Sequence, residues 1–294
     1  HFDTVAAYTS LANVQTLREG RLFVEARNGE AWGKNVAFGN LAAETVGDSV
    51  IVQNLRLSDQ DDHLYVSGGI SKDMRGKLSK VELQYKNTFI HNRTPLPFQI
   101  HENGLNISQG VLGVNNGLVT FSGTVKGADT LRTQVDFTNI DLGPLNRLLQ
   151  KPIPFTGVFN GTTTFISKGK HKNIFTDVEL TNVIWRDLHY SDVRAQLEYL
   201  NKAISITNGE IRSQEGGAMT FEGTIPFDLE SLLEADSLRL QPMLQISGDI
   251  RLDGIFLENY IRFIPIKQKM AGEVSGVVTV GGVLADPEAT FDLE

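Results

Sequence analysis

Apolar residues recur at every second position along most of this chain, and that habit admits few folds. Successive side chains of an extended strand point to opposite faces, so a period of two writes one greasy face and one wet face. Met219, Phe221, Ile225 and Phe227 alternate in one stretch, Val119, Phe121 and Val125 in another, and Leu64, Val66 and Ile70 in a third. Val193, Ala195, Leu197 and Tyr199 do the same, followed by Ile204 and Ile206. Asn-Gly pairs at Asn28, Asn103, Asn116, Asn160 and Asn208 punctuate the runs. Both residues tolerate φ > 0, which suits type I′ hairpins. The spacing predicts a long meander of antiparallel strands.

Helical periodicity is confined to three short stretches. Leu142, Leu145, Leu148 and Leu149 form one apolar stripe, with Asp141 as the cap and Pro144 near the start. Leu229, Leu232 and Leu233 form a second behind Asp228, and Leu11, Val14 and Leu17 a third behind Ser10. None is long enough to stand as a domain.

The strands repeat. Shifting Val135–Ser167 by 115 positions brings Ile140 onto Ile255, Leu142 onto Leu257, Arg147 onto Arg262, Gly157 onto Gly272, Gly161 onto Gly276 and Thr164 onto Thr279. The unit reads as strand, short amphipathic turn, then a Gly-x-x-x-Gly strand. A shorter echo links LYVSGGI at Leu64–Ile70, VTFSGTV at Val119–Val125 and MTFEGTI at Met219–Ile225. Gly68, Gly123 and Gly223 hold one place in it, and glycine inside a strand marks a bulge or bend.

Composition closes off several functions. The net charge of −8 argues against a nucleic-acid surface. With no cysteine there is no disulfide, thiolate nucleophile or Cys-based zinc site. There is no apolar run of about 18 residues and no signal peptide, so any anchor is expected outside this segment. The chain opens on His1 and stops at Glu294 inside a strand-like stretch, and is read as part of a longer protein.

No nucleotide-binding glycine fingerprint is present. Gly272-Glu-Val-Ser275-Gly276 falls one residue out of step with a nucleophile elbow and reads better as the repeat's glycine strand. His101-Glu102 lacks a second histidine, since Leu105 stands in its place, and His1, His63, His91, His171 and His189 give no ligand spacing. Asp59, Asp61 and Asp62 lack the closing Glu of a calcium loop. Lys168, Lys170, His171 and Lys172 read as a polar hairpin tip, with contact to acidic headgroups as the alternative. Asn92, Asn106 and Asn160 open glycosylation-type triplets. No cofactor and no catalytic residue is expected.

The stretches GEVSGVVTVGGVLADPEATFDLE at Gly272–Glu294 and NVIWRDLHYSDVRAQLEYLNKAISITNGEIRSQEGGAMTFEGTIPFDL, running through Val183–Leu229, resemble the TamB-type proteins of the AsmA-like group. The resemblance is clearest over 119–294. It implies an all-β fold, an elongated, repeat-built antiparallel sheet curled into an open apolar groove (a β-taco) with a few short helices, running as one continuous β-repeat region over 1–294. It further implies a periplasmic, non-enzymatic segment of an inner-membrane-anchored bridge, moving phospholipid between inner and outer membranes. Phospholipid acyl chains would then meet Leu64, Val66, Ile70, Val119, Phe121, Val125, Met219, Phe221, Ile225 and Phe227. Alternation alone does not separate an open trough from a closed sandwich with a dry core. Two rivals stay open: an assembly factor for outer-membrane β-barrels working with a BamA-type partner, and an extracellular structural β-protein.

Overall fold

The computed structural model describes all residues except 1, 12–18, 32–33, 127–129, 147–154, 170, 228–243, 261–270 and 284. The chain forms two compact units, His1–Pro152 and Ile153–Glu294. Both are antiparallel meanders, so the protein is all-β.

The first unit runs β1 (Phe2–Leu11), β2 (Glu19–Ala31), β3 (Lys34–Val46), β4 (Ser49–Asp59), β5 (Asp62–Ser71) and β6 (Arg75–Tyr85). It continues through β7 (Thr88–Asn92), β8 (Leu96–His101), β9 (Gly104–Val114), β10 (Gly117–Lys126), β11 (Thr130–Asp141) and a short helix α1 (Leu142–Asn146). The second unit holds β12 (Phe155–Lys168), β13 (His171–Trp185), β14 (Leu188–Leu200), β15 (Ala203–Ser213) and β16 (Ala218–Pro226). After it come β17 (Ser247–Phe256), α2 (Leu257–Tyr260), β18 (Glu273–Val283) and β19 (Asp286–Leu293). Apart from β7 and β8, strands within each unit pair in chain order, the pattern that mostly short turns impose on an alternating sequence.

One rung is broken in two. Both β7 and β8 pair with β6 on one side and β9 on the other. At the break the Asn92 side chain takes over from the backbone ladder. Its Oδ1 accepts from Val81 N–H at 2.6 Å, and its Nδ2 donates to Ser79 O at 3.1 Å and Thr94 O at 2.8 Å. The Asn92 side chain thereby bonds to β6 and to the chain entering β8.

The helical stripe at Leu142 is partly realised. Helix α1 begins there, and Gly143 N–H donates to Asp141 Oδ1 at 2.8 Å as a cap. Leu148 and Leu149 lie outside the described residues, as do Leu229, Leu232, Leu233, Val14 and Leu17. Ser10 and Leu11, expected at a helix start, instead end strand β1. Pairing with Arg21 and Gly20 overrides the local helical pattern.

The Asn-Gly pairs divide three ways. Asn103 and Asn116 sit in hairpin turns, as expected. Asn28 and Asn208 lie inside strands with φ of 49° and 51°, and Asn160 is ordinary strand. The left-handed conformation that suits a turn also suits a bulge, so the dipeptide does not distinguish them.

Candidate functional site

Registers place the alternating apolar residues opposite one another from strand to strand. In the second unit one row passes through Phe159, Leu180, Val193, Ile211, Met219 and Leu252. In the first unit a row passes through Val24, Leu41, Leu55, Val66 and Val81, and beyond Asn92 through Leu112, Val119 and Phe137. The other face carries charge. Arg194 meets Glu179 at 3.0 Å across β13 and β14, Arg212 meets Glu210 at 2.8 Å, and Lys80 meets Glu82 at 2.9 Å.

The ten residues singled out in the sequence occupy these apolar faces. None is buried: eight are half-buried, and Val125 and Ile225 are exposed at 37% and 38%. The buried apolar residues are others, Ile140, Val183, Leu188, Tyr190 and Ile255 among them, and Leu180, Val193, Ile211 and Met219 of the second unit's row pack against the cluster of Val183, Leu188 and Tyr190. Phe227 follows β16 and meets Tyr199 edge-on at 6.3 Å, while its N–H donates to Lys202 O at 2.8 Å.

Bulges hold the apolar faces in phase. Gln53 and Asn54 of β4 together oppose Ser67 of β5, between the pairs Val52–Gly68 and Leu55–Val66. Ser108 and Gln109 of β9 oppose Ser122 of β10, between Ile107–Gly123 and Gly110–Phe121. Thr207 and Asn208 of β15 oppose Glu222 of β16, between Ile206–Gly223 and Gly209–Phe221. Gly68, Gly123 and Gly223 thus flank the same irregularity three times. The extra residue lies on the preceding strand, where the sequence motif did not point. In the second and third copies a phenylalanine covers a glycine across the bulge. A Cβ at Gly209 would stand 2.6 Å from the Phe221 ring, and one at Gly110 2.6 Å from Phe121 Cε1.

A second irregularity recurs near the other end of the strands. Asn139, Asn182 and Gly254 have φ of 54°, 52° and 61°, and each precedes a buried β-branched residue, Ile140, Val183 or Ile255. A glycine on the neighbouring strand, or just before it, admits each one. A Cβ at Gly117 would stand 2.7 Å from Ile140 Cδ1, one at Gly217 3.0 Å from Ile255 Cδ1, and one at Gly157 3.3 Å from Val183 Cα. Asn139 and Gly254 are separated by the 115-residue shift of the repeat, as are the first residues of α1 and α2, and Gly157 and Gly272 with φ of 151° and 132°. The repeat in the sequence is therefore a repeat of backbone geometry.

The residues weighed for chemistry have structural places. Ser275 lies in β18, where its Oγ accepts from Gly254 N–H at 3.1 Å. His101 ends β8 and Glu102 lies in the following turn. Asp62 Oδ1 accepts from Lys86 N–H at 2.7 Å. Among the described residues no three His, Cys, Asp or Glu side chains are grouped to hold a metal. Among the described residues two carboxyls titrate below their ordinary range: Asp73, held by the Ser71 hydroxyl, and Glu258, whose Oε2 accepts from Gly272 N–H. Asp73 ties the β5–β6 turn to the end of β5, and Glu258 ties α2 to the start of β18. No helix among the described residues is long and apolar enough to cross a membrane. No protein-family model, curated protein or solved structure matches the chain.

Proposed function

We propose that each unit conducts lipid acyl chains along its apolar face, as a non-enzymatic part of a TamB-like periplasmic bridge between inner and outer membranes. The observation that supports this most is the state of that face. Its side chains are continuous from strand to strand yet half-buried, whereas a sealed core of this size would bury them. An acyl chain drawn out of a bilayer exposes about 0.8 kcal/mol of apolar surface per methylene to water. A continuous apolar track offsets most of that at every step. Its shallow, repeated contacts suit passage, because a tight pocket would hold the lipid in place.

Phe221→Glu tests the reading. On an open face the carboxylate stays hydrated, and the loss is mainly the ring over Gly209, about 2 kcal/mol. The variant should stay folded with a modestly lowered Tm, while photocrosslinking of phospholipid to neighbouring Ile250 falls. A variant that unfolds, together with no lipid crosslink in the unmodified protein, would show that the face is ordinary core.

A further inference from the structure

We propose that the β12–β13 and β14–β15 hairpin tips bind the phosphate of a phospholipid whose acyl chain lies on the apolar face of the second unit. This rests on the acyl-chain reading above and adds an orientation to it.

The chain is acidic overall, yet no Asp or Glu occurs between Asp141 and Asp177. The β12–β13 tip falls in that interval and carries Lys168, His171 and Lys172. The next tip at the same end carries Lys202, between β14 and β15. Strands β13 and β14 are adjacent, with Ile174 opposite Tyr199, so the two tips stand side by side at about 4.8 Å per strand.

Register assigns the cations to faces. Lys168 opposes His171, and Ser167 opposes Lys172. Ser167 and Lys172 are two residues beyond Phe165 and Ile174, which oppose each other on the apolar face, so Lys172 belongs to that face at its very end. Lys172 is half-buried, while Lys168 and Lys202 are exposed. A lysine so placed lays its methylenes along apolar surface and sends its ammonium to the mouth. From there the apolar row runs on through Phe165, Ile174, Tyr199, Ile204 and Ile225.

A phospholipid needs apolar surface for its tails and cations for its phosphate. In the second unit these tips supply both, with no acidic residue in either hairpin tip. The phosphate would take charge-assisted hydrogen bonds from the lysines while the tail enters the row behind Lys172.

The test compares two lipids with identical acyl chains, phosphatidylglycerol and diacylglycerol, each fluorescently labelled in phosphatidylcholine vesicles. The readout is lipid extracted by the protein. The unmodified protein should favour phosphatidylglycerol, and less so as salt rises. Combined Lys168→Ala, Lys172→Ala and Lys202→Ala should lower phosphatidylglycerol uptake by about tenfold or more and leave diacylglycerol unchanged. The three Lys→Arg changes should restore it. Equal uptake of both lipids, unaltered by the substitutions, overturns the phosphate site and leaves the acyl-chain reading standing. An equal loss of both lipids overturns it too, because the lysines would then serve packing alone. Vesicle binding without extraction, abolished by the substitutions, assigns the tips to a membrane surface instead. No uptake of either lipid removes the acyl-chain reading itself.

Discussion

At the crease of β10 and β11 the left-handed residue is Asn139; at the equivalent point of β16 and β17 it is Gly254. The surroundings match closely. Each precedes a buried isoleucine, each faces a glycine across the ladder, and each lies in a region where a phenylalanine covers a second glycine at the central bulge. The side chain at the crease can change because what is held constant is a backbone conformation, and Asn and Gly are the residues that reach it most easily. The β4–β5 region sharpens the lesson. It keeps the central bulge, with Gln53 and Asn54 opposite Ser67, but pairs Leu55 with Val66 where the others pair glycine with phenylalanine. The bulge therefore does not depend on the aromatic clamp.

The hardest way to break the equivalence is to fill the facing glycines. A Cβ at Gly117 or Gly217 would overlap the carbonyl oxygen of Asn139 or Gly254, and backbone cannot step aside as a side chain tip can. Gly117→Val and Gly217→Val should each cost about 3 kcal/mol or more in denaturant unfolding. Gly217→Val should cost the more, since φ there is 82° and a β-branched residue adds strain. A cost under about 1 kcal/mol at either site would mean the crease is not a steric lock.

Exchanging the crease residues is gentler. Asn139→Gly should change stability by no more than about 1 kcal/mol, because glycine relieves the left-handed backbone while it frees the unfolded chain. Gly254→Asn should stay within about 1 kcal/mol of the parent, because the only close neighbour of a new Cβ is the movable end of Glu273, at 2.9 Å. Losses of several kcal/mol in either exchange, read by thermal melting, would show that side-chain contacts distinguish the two creases.

The smallest effect is one of pH, and it separates the copies. Glu258 binds Gly272 across the α2–β18 connection, and its pKa is lowered from 4.5 by that hydrogen bond. A lowered folded-state pKa contributes stability that is fully present above the unfolded value and lost as pH falls through the folded one. The position 115 residues earlier is Gly143, which has no carboxylate. The protection of amides around Gly272, relative to the intrinsic exchange rate at each pH, should therefore fall below about pH 4.5, and Glu258→Gln should flatten that response. No change around Gly157 is expected in the same range.

Much of the sheet is legible in the sequence because alternation is a strict geometric consequence of extended backbone. Alternation alone sets Leu64, Val66 and Ile70, or Met219, Phe221 and Ile225, on one face. The glycines at 68, 123 and 223 mark a bulge, as their place inside strand-like runs implies. Their part in it is not readable locally, because a bulge is a property of two strands, and the extra residue lies on the partner, at Gln53–Asn54, Ser108–Gln109 or Thr207–Asn208. Asn28 and Asn208 mislead for a related reason: φ near 50° serves a turn and a bulge alike. The split rung has one local sign, Pro95, which has no N–H to give a ladder, but the way Asn92 closes the gap is not local. Its side chain substitutes for hydrogen bonds to Val81 and Ser79, more than ten residues earlier in the chain.

The chain-order pairing of the strands has a kinetic consequence. Most hairpins close a loop of only a few residues, so little entropy is lost before the first contacts form; β16–β17 and β17–β18, joined across 227–246 and 257–272, are the slower steps. A meander of this kind grows by adding one strand to a finished edge, without waiting for a distant partner to arrive. Proteins with such local pairing fold faster than β-sandwiches of similar size, whose strands must meet across long connections. Each strand is thus ordered by the neighbour that formed just before it, and the time spent with a bare apolar face is set by how fast the next strand adds.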